Sequence, residues 1–76
     1  MSMSPENHLV NVLSHWLARH IDNAELLREL EAVDTSALSP TQAEAVHELR
    51  DEVVSTNGRG DLEMVVRETL EAVALG

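Results

Sequence analysis

The sequence predicts an all-α protein, a compact four-helix bundle-like domain with short loops, and three observations predict it. Helix-start signals recur along the chain, apolar residues repeat at helical rather than alternating spacing, and only short breaks separate those stretches. The 76 residues leave room for one small helical domain over 1–76. Leucine, isoleucine and valine make up 21 of them, too much apolar material for a disordered polyelectrolyte.

Ser4-Pro5 opens the first helix, expected over 5–21. The hydroxyl caps it, and proline fits a first helical position where its missing N–H costs nothing. Asp22-Asn23-Ala24-Glu25 reads as a capping box and opens the second, over 23–33. Ser39-Pro40-Thr41-Gln42 combines both signals and opens the third, over 40–56, with Leu38 placed to staple onto Ala43. Asn57-Gly58 is a left-handed terminator for that helix. Asp61 is the expected cap of the fourth, over 61–74, with Glu63 in a first turn where the helix dipole favours a carboxylate.

Each helix is then tested for a face at about 100° per residue. Leu26, Leu27, Leu30 and Val33 form a stripe on the second. Ala45, Val46, Leu49 and Val53 cluster on the third, away from Glu44, Glu48, Asp51 and Glu52. On the fourth, Leu62, Val65, Val66, Thr69, Leu70 and Val73 gather opposite Glu63, Arg67 and Glu71. The expected core is Leu13, Leu17, Leu30, Val46, Leu49, Val53, Val66, Leu70 and Val73.

The first helix is different. Its Leu9, Val10, Val12, Leu13, Trp16, Leu17 and Ile21 spread over roughly 180°, wider than the ~100° stripe a surface helix needs. Either it lies wedged between the other three, or part of the arc meets a second chain. Small helical domains often reach adequate burial by oligomerising, which favours the second arrangement. Leu9, Val12 and Trp16 share one edge and form the expected interface of a homodimer.

Absences remove several functions. Without cysteine there is no disulfide, thiolate zinc site or cysteine nucleophile; without lysine there is no Schiff base or phosphate-loop lysine. A net charge of −9 repels phosphate backbones and anionic membranes, so nucleic acid and membrane are not expected partners. Met1-Ser2-Met3-Ser4-Pro5-Glu6 has neither a basic start nor an apolar run, so no signal peptide is read there. A cytoplasmic protein is expected, and arginine without lysine amid Ala, Val, Leu and Glu suggests a GC-rich bacterial genome.

Four candidate chemistries have weak footing. His8 and His15 share a helix edge but lie about 10 Å apart, too far for one zinc ion. His20 falls in the apolar arc near the end of the first helix, as a partly buried residue aided by the dipole. Glu44-Ala45-Val46-His47 matches half of a di-iron carboxylate motif, but both ends point away from the stripe, so no metal or cofactor is expected. Arg59-Gly60-Asp61 spells an integrin-recognition tripeptide, yet its glycines and cap are explained by the turn. Ser4, Thr35, Ser36, Ser39 and Thr41 sit at caps and turns, and no hydroxyl–His–carboxylate set emerges, so no catalytic residue is assigned.

Two resemblances follow from these motifs. Length, acidity and four helices resemble an acyl carrier protein, a family that carries phosphopantetheine on the serine of Asp-Ser-Leu at the start of the second long helix. Here Asp34-Thr35-Ser36-Ala37-Leu38 stands there, with an extra residue before Leu38, and Ser36 or Ser39 is what the resemblance implies as attachment site. Leu38-Ser39-Pro40-Thr41-Gln42 through Val46, Leu49 and Arg50 is similar to the first helix of a LuxR-type helix-turn-helix. Asp51-Glu52 and an acidic helix replace the basic recognition helix that should follow. The expected function is therefore a protein–protein interaction or regulatory module without catalytic activity, acting on a basic protein partner. An acyl-carrier-like domain is the alternative, and a metal-binding helical protein a more distant one.

Overall fold

The computed structural model describes residues 4–55 and 59–76. They form α1 (Pro5–Leu17), α2 (Asn23–Ala32), a 3-10 turn (Thr35–Ala37), α3 (Pro40–Ser55) and α4 (Gly60–Leu75), with no strand among the described residues. The protein is all-α, a four-helix arrangement. The sequence-predicted end of α3 at residue 56 and its Asn57-Gly58 terminator lie outside the described residues.

Three of the four start signals act as their chemistry requires; Asp61 is the exception. Asn7 N–H donates to Ser4 Oγ at 3.2 Å, and Glu25 N–H donates to Asp22 Oδ1 at 2.9 Å. At α3 the box is reciprocal: Gln42 N–H donates to Ser39 Oγ at 3.2 Å, and Ser39 N–H donates to Gln42 Oε1 at 2.9 Å. Gln42 does more than cap. Its buried Nε2 donates to Val73 O at 3.0 Å, tying the start of α3 to the last turn of α4.

Two boundaries differ from the sequence reading. α1 stops at Leu17, not 21, because His20 N–H donates to His15 O (2.8 Å) and Arg19 N–H to Trp16 O (3.0 Å). That pair of bonds is a Schellman terminator, with Arg19 in the left-handed region at φ 65° where glycine is usual. His20 consequently leaves the helix and is exposed, not partly buried on its face. α4 starts one residue early, at Gly60, so Asp61 sits in its first turn while Arg59 occupies the cap position without a side-chain cap bond.

The helices close a ring in which α1 packs on α2 and α4, and α3 packs on the same two. This arrangement corrects the interface expectation. Leu9 and Trp16 are 0 % exposed and Val12 is 7 % exposed, all within one core cluster with Leu13, Leu26, Leu30, Val46, Leu49, Val53, Leu62, Val66 and Val73. The apolar arc of α1 is wide because two neighbouring helices cover it from different sides. Side chains already inside the fold have no contact area left for a second chain. Leu17 and Leu70, expected in the core, pack against it half-buried.

Trp16 is where three helix ends meet. Its indole N–H donates to Asn23 Oδ1 at 2.8 Å, at the first residue of α2. The Arg59 guanidinium, just before α4, lies over the indole ring and donates to Trp16 O. A cation there also complements the negative end of the α1 dipole.

Candidate functional site

With the apolar arc of α1 internal, the surface left to read is largely polar, with a few exposed hydrophobic side chains. α3 and α4 together carry eight carboxylates and two guanidinium groups. Thr41, Glu44, Ala45 and Glu48 follow one edge of α3, and Val65, Glu68, Thr69 and Ala72 one edge of α4. Both sets have the i, i+3, i+4, i+7 spacing of a single helix face. Between these edges runs a cleft of about 240 Å³. Glu44, Glu48 and Glu68 are exposed on its walls, whereas Ala45, Val65 and Ala72 are half-buried and Thr69 is buried. Among the described residues no cationic side chain lines it.

The deeper side chains are small or committed elsewhere. Thr69 Oγ1 donates to Val65 O at 2.8 Å, so its hydroxyl serves its own helix. The cleft therefore offers shallow apolar contact edged with negative charge. Two further hollows adjoin it through Glu68. One lies beside Glu63, Met64 and Arg67, the other reaches Leu75. Met64 is 64 % exposed and Leu75 80 % exposed, which makes them two of the three large exposed hydrophobics among the described residues.

A second cleft of about 240 Å³ separates α1 from α2, lined by His8, Asn11, Val12, His15, Ile21, Glu25 and Glu29. His8 Nε2 lies 2.8 Å from Glu29 Oε2, an ion pair when the imidazole is protonated. His15 and His20 meet edge to face at 5.7 Å between ring centroids. Among the described residues no group of three or more His, Asp or Glu side chains is disposed to hold a metal ion. Glu44 and His47 are both exposed on α3.

The serines of the acyl-carrier resemblance have local roles. Ser36 Oγ donates to Asp34 Oδ1 at 2.6 Å within the 3-10 turn, and Ser39 Oγ caps α3 and donates to Gly76 O at 3.3 Å. Arg59 of the Arg-Gly-Asp tripeptide is folded onto Trp16, so the three residues are not presented together. No described helix is long and apolar enough to cross a membrane.

The sequence placed Glu44 and Glu48 on the outer side of α3 but did not reveal the cleft they edge. Its only sequence signal is the matching spacing on two helices, whose register depends on how those helices pair. Comparisons with protein-family models, curated proteins and solved structures gave no match for this chain.

Proposed function

We propose that the protein is a small acidic protein–protein interaction or regulatory module without catalytic activity, whose partner is a protein with a basic surface. The carrying observation is the excess of carboxylates on α3 and α4, three of which (Glu44, Glu48 and Glu68) edge a cleft that no cationic side chain lines among the described residues. Such a field steers a cationic partner and repels anionic ones. The hydroxyls of Ser4, Ser36, Ser39, Ser55 and Thr69 bond to nearby groups of the chain, in keeping with capping and turn roles. A cytoplasmic, bacterial setting fits the composition.

The homodimer expected from the sequence loses its basis, because Leu9, Val12 and Trp16 are inside the fold. The proposal is a monomer that binds a different protein. Affinity capture from the native host, eluted with rising salt, tests it. The expected result is a basic protein released as screening increases. Partners without basic character, held regardless of salt, contradict the proposal. So does a phosphopantetheine adduct on Ser36 or Ser39 in the intact mass of the captured protein, which favours the carrier-type alternative.

A further inference from the structure

We propose that the α3–α4 cleft and the adjoining outer side of α4 seat a cationic amphipathic helix of another protein, an inference that rests on the basic-partner reading above. Shape is the first reason. A cleft between two packed helices is a groove of the kind into which a third helix fits its apolar ridge, and the half-buried Ala45, Val65 and Ala72 are short enough to let a backbone approach.

Charge is the second reason. Glu44 and Glu48 stand one turn apart on one wall and Glu68 stands on the other. A helix lying between them meets carboxylates along both edges of its apolar strip, where an amphipathic helix carries its lysines and arginines. Apolar exposure is the third and is independent of charge. Met64 and Leu75 line hollows that share Glu68 with the cleft, and both are mostly exposed; the Met64 hollow also holds Arg67, outnumbered there by Glu63, Glu68 and Glu71. Exposed apolar side chains beside a groove supply the contact area that carboxylates alone lack.

A second copy of this chain does not fit the same place. It has no lysine, and no helix of it carries two arginines: Arg28, Arg50 and Arg67 lie one each on α2, α3 and α4. Arg59 is engaged with Trp16. The occupant is therefore a helix from a different, basic protein.

The test uses a fluorescein-labelled Leu/Lys peptide of about 18 residues, roughly five helical turns, with leucines at helical spacing. A peptide of the same length with two central prolines replacing leucines serves as the non-helical control. Binding to the full chain is read by anisotropy at physiological ionic strength. The helical peptide is expected to bind more tightly than the proline-broken one. The double variant Glu48→Gln, Glu68→Gln is expected to weaken it about tenfold, whereas Glu6→Gln, Glu31→Gln, with the same net charge, changes it less than about twofold. Replacing exposed Met64 and Leu75 by serine is also expected to weaken binding.

Equal binding of both peptides, or equal weakening by both glutamine pairs, reveals diffuse attraction. That result overturns the helix-docking inference and leaves the basic-partner reading standing. Failure of both peptides to bind wild type overturns the two together.

Discussion

The Arg59 guanidinium lies 3.7 Å from the centroid of the Trp16 ring and donates to the Trp16 backbone carbonyl, joining residues 43 positions apart in sequence. One side chain thus holds the start of α4 on the end of α1. Its Nε is buried without a hydrogen-bond partner, which offsets part of what the stacking and the charge-assisted bond contribute. Arg59→Ala is therefore expected to cost about 2 kcal/mol, less than the sum of a desolvated cation–π contact and a charged hydrogen bond. In a domain of this size that lowers the melting temperature by roughly 10 °C, which calorimetry measures directly. An unchanged melting temperature contradicts the clamp.

Gln42 makes a different long-range tie. Its amide oxygen completes the α3 cap while its amide nitrogen reaches Val73 O. Gln42→Glu keeps the shape but faces a carbonyl with a carboxylate, which leaves Val73 O without its donor and buries a charge. The expected cost exceeds that of Gln42→Ala at neutral pH. Burial raises a carboxyl pKa, so the folded variant holds a proton that its unfolded state has released, and its deficit should shrink on acidification. Urea titrations at neutral pH and near pH 4 read both effects, and a Gln42→Glu deficit that grows on acidification counts against the proposed geometry.

Arg19 is the inverse case, a residue whose replacement should stabilise. Holding a non-glycine residue in the left-handed region costs about 1–2 kcal/mol, while glycine loses roughly 0.4–1 kcal/mol through its freer unfolded chain. The first term is larger, so Arg19→Gly should raise stability by about 0.5–1 kcal/mol. A fall in the urea midpoint would mean that the Arg19 side chain contributes more than its backbone strain costs.

Much of this architecture was legible because its signals are local. Ser4-Pro5, Asp22 to Glu25 and Ser39 to Gln42 each satisfy N–H groups a few residues away, so spacing alone identifies them. The core positions Leu13, Leu30, Val46, Leu49, Val53, Val66 and Val73 were legible because period fixes a face. The end of α1 was hidden because Arg19 takes a conformation that usually advertises itself with glycine, while Ile21 prolongs the apolar period. Whether Leu9, Val12 and Trp16 face inward or towards a second chain was not legible, because the width of an arc does not say how many neighbours cover it; they pack in the core. The candidate site was only half visible: its glutamates follow from helix phase, but the cleft follows from the pairing of α3 with α4.

Electrostatics gives a prediction for the whole molecule. Fourteen acidic groups against five arginines repel one another in the folded state. Salt screens that repulsion, so the melting temperature should rise modestly from low to physiological ionic strength. A falling melting temperature means that pairs such as His8–Glu29 outweigh the repulsion.

Replacing Trp16 tests its place in the fold. A surface tryptophan tolerates glutamate, but Trp16 is 0 % exposed and shared by three helix ends. Truncating such a residue costs about 3–5 kcal/mol, comparable with the whole stability of a small domain. Trp16→Glu is expected to unfold the chain by circular dichroism. A folded, monomeric Trp16→Glu variant would restore the interface reading.

Trp16 is the sole tryptophan, and the chain has no tyrosine or phenylalanine, so its emission reports this one site. The central claim is that Trp16 is covered by its own chain and not by a second copy. Acrylamide quenching measured from nanomolar to high micromolar protein tests that claim most directly. Blue-shifted emission and weak quenching, independent of concentration, are the predicted result. Strong quenching in dilute solution that disappears as concentration rises places Trp16 between two chains and contradicts the account.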